Sequence, residues 1–379
     1  EDTGGSKLPH TLVQLSAEAV RAGGRVRCAL TAGRDTRVLA ALLRSASIPV
    51  LYYTAGEPGS MDVVIAGELA ERFDLRHEVE PPGDPASGGT TTAMRFIRQN
   101  DGLASLVQLV DYIDLDRTVA ELSITFWGVG GEIGRAGSGL LSNIAPNLPV
   151  ASRLTAVQRR LLRLKLDDAG LLTPDGADLV RSFLDRFVDE RRREGWPVRE
   201  IPEAFYAFER ISSWGATGPR RAAGASDLFS PFCTRPFVDY CFSLAPAQRY
   251  LEAPHRRLLE ALAPELLQVR FEQPFRPPYP PLTGLLAMRQ LWRGLRSRQR
   301  HGVAVAIGSP GQPPFLDRWL QSHVTDLERA AEEVPEVVWQ LIDRRRFSAR
   351  LGSDTERAGG RDALLRTATA LLWASASAQ

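Results

Sequence analysis

The chain has 379 residues, 44% of them hydrophobic, which is enough for one large domain or two ordinary ones with a sizeable packed core. Its 47 basic residues nearly balance 45 acidic ones, and the resulting net charge of +2 gives no reason to expect nucleic acid as a partner. Cys28, Cys233 and Cys241 lack the spacing of a disulfide framework or a zinc site, and no apolar run approaches the roughly 20 residues of a membrane helix, so the expected setting is reduced and cytoplasmic, without a membrane.

Read in chain order, residues 1–22 form a lead-in and a loosely helical stretch, with Leu12, Val13, Leu15 and Val20 apolar. Gly23 and Gly24 end it. Val26, Cys28 and Leu30 then alternate as a strand would over Arg25–Leu30. Thr36–Ser47 carries Val38, Leu39, Leu42 and Leu43 on one helical stripe. Ile48–Thr54 reads as a second strand, Met61–Phe73 as a second amphipathic helix and Arg76–Glu80 as a short third strand. This alternation predicts a parallel α/β sheet with flanking helices.

A loop follows at residues 82–92, then helical patterns from Ala93 to Val119 and a further strand candidate, Ser123–Trp127, that runs into glycines. From about residue 150 the pattern is mostly helical, interrupted by Leu228–Arg235 and the proline-rich Gln273–Pro281. Arg293–Arg300 reads as an exposed basic face. The expected division is an α/β core over residues 1–150 and a helical portion over 151–379.

The most informative local feature is the first strand–helix junction, Leu30-Thr31-Ala32-Gly33-Arg34-Asp35-Thr36. Small residues after a buried strand allow a tight turn and close approach to a ligand. The following helix offers unpaired N–H groups and the positive end of its dipole, a combination suited to phosphate. Thr31 and Thr36 add hydroxyls, and Asp35 is a candidate Mg²⁺ ligand. The plainer reading is that Asp35 or Thr36 simply caps the helix. A second cluster, Gly128-Val129-Gly130-Gly131-Glu132, lies at a later strand end. Ligands of open α/β sheets bind beyond the carboxyl ends of the strands, so both loops should face one crevice and Asp35 and Glu132 form a plausible metal pair. The plainer reading here is a glycine turn with a capping glutamate.

The order and spacing of these segments resemble the asparagine synthase family. T-A-G-R-D-T at 31–36 is similar to the S-G-G-x-D-S signature of PP-loop ATP pyrophosphatases, and G-V-G-G-E at 128–132 to the family's G-x-G-x-D-E segment. Tyr53–Asp62 resembles its second strand and S-x-D helix start, and Ser230–Asp239 its P-F-L-D segment. Leu244–Pro246, Arg249 and His255–Leu262 continue the match, which spans about residues 10–275.

The resemblance implies an adenine nucleotide alpha hydrolase-like fold and an ATP-dependent, AMP-forming ligase. It would adenylate a small-molecule or peptide carboxylate for capture by ammonia or an amine, as in β-lactam synthetases and lasso peptide cyclases. It implies that Leu30, Thr31, Ala32, Gly33, Asp35, Thr36, Gly128, Gly130 and Gly131 contact ATP, that Tyr53 and Thr54 pass the adenine, and that Asp35 and Glu132 bind Mg²⁺. A glutaminase or other N-terminal domain would lie outside this chain.

Four departures matter. Ala32 replaces a glycine, Val129 replaces a glutamate that handles ammonia, and Glu132 stands where a longer Asp-Glu pair is usual. The family's late lysine is also missing: lysine occurs only at Lys7 and Lys165, and Val269–Phe275 offers only Arg270 as a catalytic cation. Two alternatives remain open. One is another PP-loop chemistry such as sulfur transfer to RNA; the other is a nucleotide-binding scaffold that has lost catalysis.

Overall fold

The computed structural model describes residues 7–21, 23–80, 90–108, 123–135, 149–163, 170–213, 227–275 and 315–377. The chain forms two compact units, each assembled from separated segments. The first comprises Glu1–Pro82, Leu115–Asn143 and Pro202–Pro278; the second comprises Gly83–Asp114, Ile144–Ile201 and Tyr279–Gln379. The single boundary expected at residue 150 is thereby replaced by an interleaved arrangement. The basic run Arg293–Arg300 and the far end of Gln273–Pro281 lie outside the described residues, as do most of the loop at 82–92 and the helical pattern beyond Gln108.

The first unit is built on a five-stranded, all-parallel sheet of order β3-β2-β1-β4-β5. The strands are β1 (Arg25–Ala29), β2 (Leu51–Ala55), β3 (His77–Glu80), β4 (Ser123–Phe126) and β5 (Asp227–Phe229). The strand–helix alternation expected over the first 80 residues is present, with α1 at Leu8–Ala19, α2 at Arg34–Ser45 and α3 at Met61–Phe73. Register follows burial: Cys28 lies opposite Tyr52 on one side and Phe126 on the other, and all three are buried. Helix α2 buries Val38, Leu39, Leu42 and Leu43 in the same core. Helix α3 starts at Ser60, whose hydroxyl accepts from the Val63 amide at 3.4 Å, and ends at Asp74 in a left-handed turn with φ 50°.

The sheet grows outward from β1 to β3, then returns to the opposite side of β1 for β4 and β5. Its topological switch point is therefore the gap between the carboxyl ends of β1 and β4. Strand β5 falls in a half of the sequence expected to be helical. Three residues, Asp-Leu-Phe, are too few to show a period of two, and only pairing with β4 makes them a strand.

Two arginines of α2 fix a distant segment. Arg37 is wholly buried and donates to the carbonyls of Leu266 at 3.1 Å, Val269 at 2.7 Å and Arg270 at 2.8 Å, with its guanidinium 3.6 Å from the Phe271 ring centre. Arg34 donates to the carbonyls of Gln273 and Pro274, each at 2.7 Å, and pairs with buried Glu252. The Glu272 amide then reaches the Ala32 carbonyl at 3.4 Å, so this segment borders the β1 loop.

The second unit is helical. Phe96 and Ile97 of Thr90–Gln99 share a core with Trp319, Phe347, Leu351, Leu365 and Leu371. Thr173 caps the helix Pro174–Arg193, accepting from the Gly176 amide at 3.1 Å and donating to the Gln340 carbonyl at 2.5 Å. Among the described residues, no helix of either unit is long and apolar enough to cross a membrane.

Replacing Arg37 by methionine leaves two buried carbonyls and one part-buried carbonyl without this donor. At about 1–3 kcal/mol for a buried group left unsatisfied, the variant should lose roughly 3–5 kcal/mol of stability. Urea unfolding measures this, and an unchanged midpoint would show that the 266–274 segment does not need the clamp.

Candidate functional site

The loop after β1 is braced from within. The Leu30 amide donates to the Tyr53 carbonyl at 2.8 Å, extending the β1–β2 ladder by one residue. The Thr31 amide donates to the Thr36 hydroxyl at 3.2 Å, the two threonine hydroxyls lie 2.9 Å apart, and the Gly33 amide donates to the Thr31 hydroxyl at 3.1 Å. The Ala32 amide donates to Asp62 Oδ1 at 2.8 Å, which ties the loop to the first turn of α3. Gly33 is the N-cap of α2 in extended backbone, and no side chain caps this helix. Asp35 and Thr36 are therefore not helix caps. The N-terminus of α2 lies at the switch point, and a helix N-terminus is where an anion is best received.

The loop after β4 closes on the same place. The Trp127 amide donates to the Phe229 carbonyl at 3.0 Å, and a glycine-rich turn follows. A Cβ on Gly128 would lie 3.1 Å from the Asp35 Cβ. One on Gly131 would lie 2.6 Å from the Asp35 Cγ, closer than real Cβ atoms come. At Gly130, with φ +92°, a Cβ would lie 2.8 Å from Cys233 Sγ and 3.1 Å from the Phe232 carbonyl. The Ser230 hydroxyl donates to the Val129 carbonyl at 2.5 Å, so the segment Ser230–Phe232 borders this second loop. The chain thus brings together Thr31, Gly33, Asp35 and Thr36 with Gly128, Gly130 and Gly131.

Asp35 is the centre of this contact. Its Oδ2 receives the Arg135 guanidinium, and its Oδ1 lies 2.7 Å from His255 Nε2. His255 is wholly buried, and its pKa is pushed down to about 3, chiefly by burial and next by the charge of Arg135. It is therefore a neutral imidazole that donates from Nε2. Among the described residues its Nδ1 has no hydrogen-bond partner; it faces Gly134, where a Cβ would lie 3.2 Å away. Glu132 is exposed and takes a hydrogen bond from the Tyr206 hydroxyl, whose pKa is raised by burial and then by the Glu132 charge.

The Asp35–Glu132 metal pair is therefore not what the structure assembles. Both Asp35 oxygens face other donors, one of them a full positive charge, and Glu132 is engaged by Tyr206. A shared divalent ion would have to displace Arg135, so these carboxylates do not fit Mg²⁺ as they stand. Among the described residues, no group of three or more His, Cys, Asp or Glu could hold a metal ion.

Arg270 also differs from its expected role. Its guanidinium is half exposed and pairs with Glu68 of α3 at 2.8 Å, while only its carbonyl turns inward, to Arg37. A flexible, well-hydrated cation beside an exposed carboxylate has no reason to point into the loop crevice. Thr54 is spent structurally: its hydroxyl donates to the Leu30 carbonyl at 2.5 Å and lies 2.8 Å from His77 Nε2. Tyr53 is stacked by the Arg27 guanidinium at 4.5 Å, and burial pushes its pKa up to about 12.

Sequence reasoning missed Asp62, Arg135, Tyr206 and His255 as site residues. Asp62 had a visible signal in its place at the start of α3; the other three meet the site only through tertiary contacts. The fold and these loops define a parallel α/β protein whose β1 and β4 loops meet at its switch point. Compared with models of known protein families and with curated proteins, the chain matches none.

The buried histidine sets a pH dependence. Between pH 6.5 and about 3 the unfolded chain protonates this imidazole and the folded one does not, so stability falls as pH drops through that window. The slope from this group approaches about 1.4 kcal/mol per pH unit. His255→Gln keeps a donor for Asp35 but does not titrate, so its acid-side loss should be shallower. Equal slopes for the two proteins would rule out a neutral buried His255.

Proposed function

We propose that this chain binds ATP at the β1 and β4 loops and adenylates a substrate carboxylate, releasing pyrophosphate, so that ammonia or an amine can capture the acyl-adenylate. The single observation that carries the reading is the meeting of two glycine loops around Asp35 at the switch point, beside an α2 N-terminus that no side chain caps. The order of the matching segments along the sequence supports it further.

In this reading the N-terminus of α2 and the hydroxyls of Thr31 and Thr36 receive the polyphosphate. They counter the charge that grows on the departing pyrophosphate, where preorganised dipoles act without reorganising. The bracing of Thr31, Ala32 and Gly33 holds those dipoles in place before the ligand arrives. The segment 270–274 beside Ala32 forms one wall, aligning the reactants and limiting water. The substrates are a small-molecule or peptide carboxylate and an amine, with any glutaminase on another domain or chain. A reducing, cytoplasmic setting accords with the free thiols of Cys28, Cys233 and Cys241.

A second reading, a nucleotide-binding protein without the chemical step, is favoured by one observation: Arg270 is tied to Glu68 and supplies no cation.

ATP–pyrophosphate exchange across a panel of carboxylates separates the two. Exchange should appear with at least one carboxylate and should fall about 100-fold or more in Gly131→Ala, whose new methyl displaces the Asp35 side chain. ATP binding without exchange on any carboxylate would favour the second reading. Exchange at the wild-type rate in Gly131→Ala would place the chemistry elsewhere. Thr36→Val removes the hydroxyl that braces Thr31 and should weaken ATP binding by roughly tenfold, read by calorimetry.

A further inference from the structure

We propose that Arg135 is the cation that receives a phosphate group at this site, positioned by Asp35 and His255, and that no divalent ion bridges Asp35 and Glu132. This rests on the nucleotide-binding reading above and assigns a residue that the sequence did not single out.

The argument begins with charge. An ionised Asp35 in the first turn of α2 would by itself place a negative charge where a polyphosphate must sit, cancelling the benefit of the helix N-terminus. A metal ion is one way to offset it. Here the offset is already supplied by the protein, because the Arg135 guanidinium lies against Asp35 Oδ2. With neutral His255 on Oδ1, Asp35, Arg135 and His255 together carry no net charge, and the α2 dipole still favours an anion.

Geometry supports the same assignment. Arg135 closes the one-turn segment Gly131–Arg135, which is held by backbone hydrogen bonds from Gly131 to Gly128 at 3.2 Å and from Ile133 to Gly130 at 3.1 Å. Both glycines of that turn lie on the pair that positions Arg135: Gly131 against the Asp35 carboxylate, Gly134 against the His255 ring. A side chain at either position would push the turn away, so the absence of Cβ atoms sets where the guanidinium sits. The Arg135 side chain is a quarter exposed, at 26%, while Asp35 is 17% exposed. The arginine therefore has a solvent-facing edge. A guanidinium presents its donors in a planar fork that matches the oxygens of a phosphate group.

Arg135 thus takes two assignments at once. It stands where a metal would offset Asp35, and it provides the cation that Arg270, held by Glu68, does not. Asp35 and His255 are positioning residues in this arrangement.

The test is calorimetric titration of the full chain with inorganic pyrophosphate and with ATP, first in EDTA and then with excess Mg²⁺. Wild type should bind pyrophosphate in EDTA, with affinity changed by less than about threefold by Mg²⁺. Arg135→Gln should weaken that binding by roughly tenfold or more. Arg135→Lys, which keeps the charge and loses the fork, should fall between the two. Arg181→Gln, a charge-matched change in the second unit at an exposed pair with Asp178, should bind as wild type does. Pyrophosphate binding that requires Mg²⁺, with Arg135→Gln binding equally or more tightly, would overturn this proposal while leaving ATP use intact. Wild-type affinity of Arg135→Gln in EDTA would overturn it too. No binding of ATP or pyrophosphate under either condition would remove the functional reading with it. The comparison of EDTA and Mg²⁺ on wild type decides the metal question even if Arg135→Gln fails to fold.

Discussion

The grip of α2 on a segment more than two hundred residues downstream is the constraint from which the site follows. Arg37 is buried yet charged, its pKa lowered only to about 10 by burial and by neighbouring Arg34. Desolvating a guanidinium is costly unless its donors are satisfied. Backbone carbonyls from Leu266, Val269 and Arg270 and the face of Phe271 do so, and in return those carbonyls gain partners inside the core. Arg34, one turn earlier, continues the contact to Gln273 and Pro274 and reaches Glu252. Glu252 sits in left-handed backbone, φ 61°, at the start of the helix Ala253–Leu262. That helix delivers His255 to Asp35, so the chain of contacts starts on α2 and returns to it.

Helix geometry explains why neighbouring residues of α2 do such different things. Arg34 and Arg37 are three apart and share a face, which looks toward the 266–274 segment. Asp35 lies on a different face and meets the glycines after β4. One turn of helix thereby holds the 266–274 segment with two cations and presents a carboxylate to the loop after β4. The β1 loop is rigid for a related reason. Its amides at Thr31, Ala32 and Gly33 are each satisfied by a side chain, two of them by the threonines of the loop and one by Asp62. A loop whose polar groups are paired does not need a ligand to order it, which leaves binding energy for the ligand's own contacts.

Much of the first unit was readable because its signals are local. The periods of two and 3.6 in residues 25–80 depend only on near neighbours, and Met61–Phe73 formed with the bounds that its spacing indicated. The glycine clusters were readable for a similar reason: Gly33 and Gly128–Gly131 follow strands directly, and strand ends in a parallel sheet converge on one edge. The short β5 was not readable, because three residues acquire strand geometry only from β4 beside them. Nor was the interleaving of the two units, since nothing in residues 83–114 or 202–278 marks which core each segment joins.

The sequence by itself determined the alternation of strands and helices, the all-parallel sheet that this alternation requires, and the two loops that meet at its switch point. Only the tertiary structure decided which charges act there. Asp35 and Arg135 are 100 residues apart and Asp35 and His255 are 220 apart, so no spacing pattern could pair them. Arg270 looked suitable by position, but Glu68 offered its side chain a partner at the surface while Arg37 claimed its carbonyl. Backbone conformation is fixed by neighbours along the chain; the pairing of long charged side chains is fixed by whichever partner the fold brings within reach.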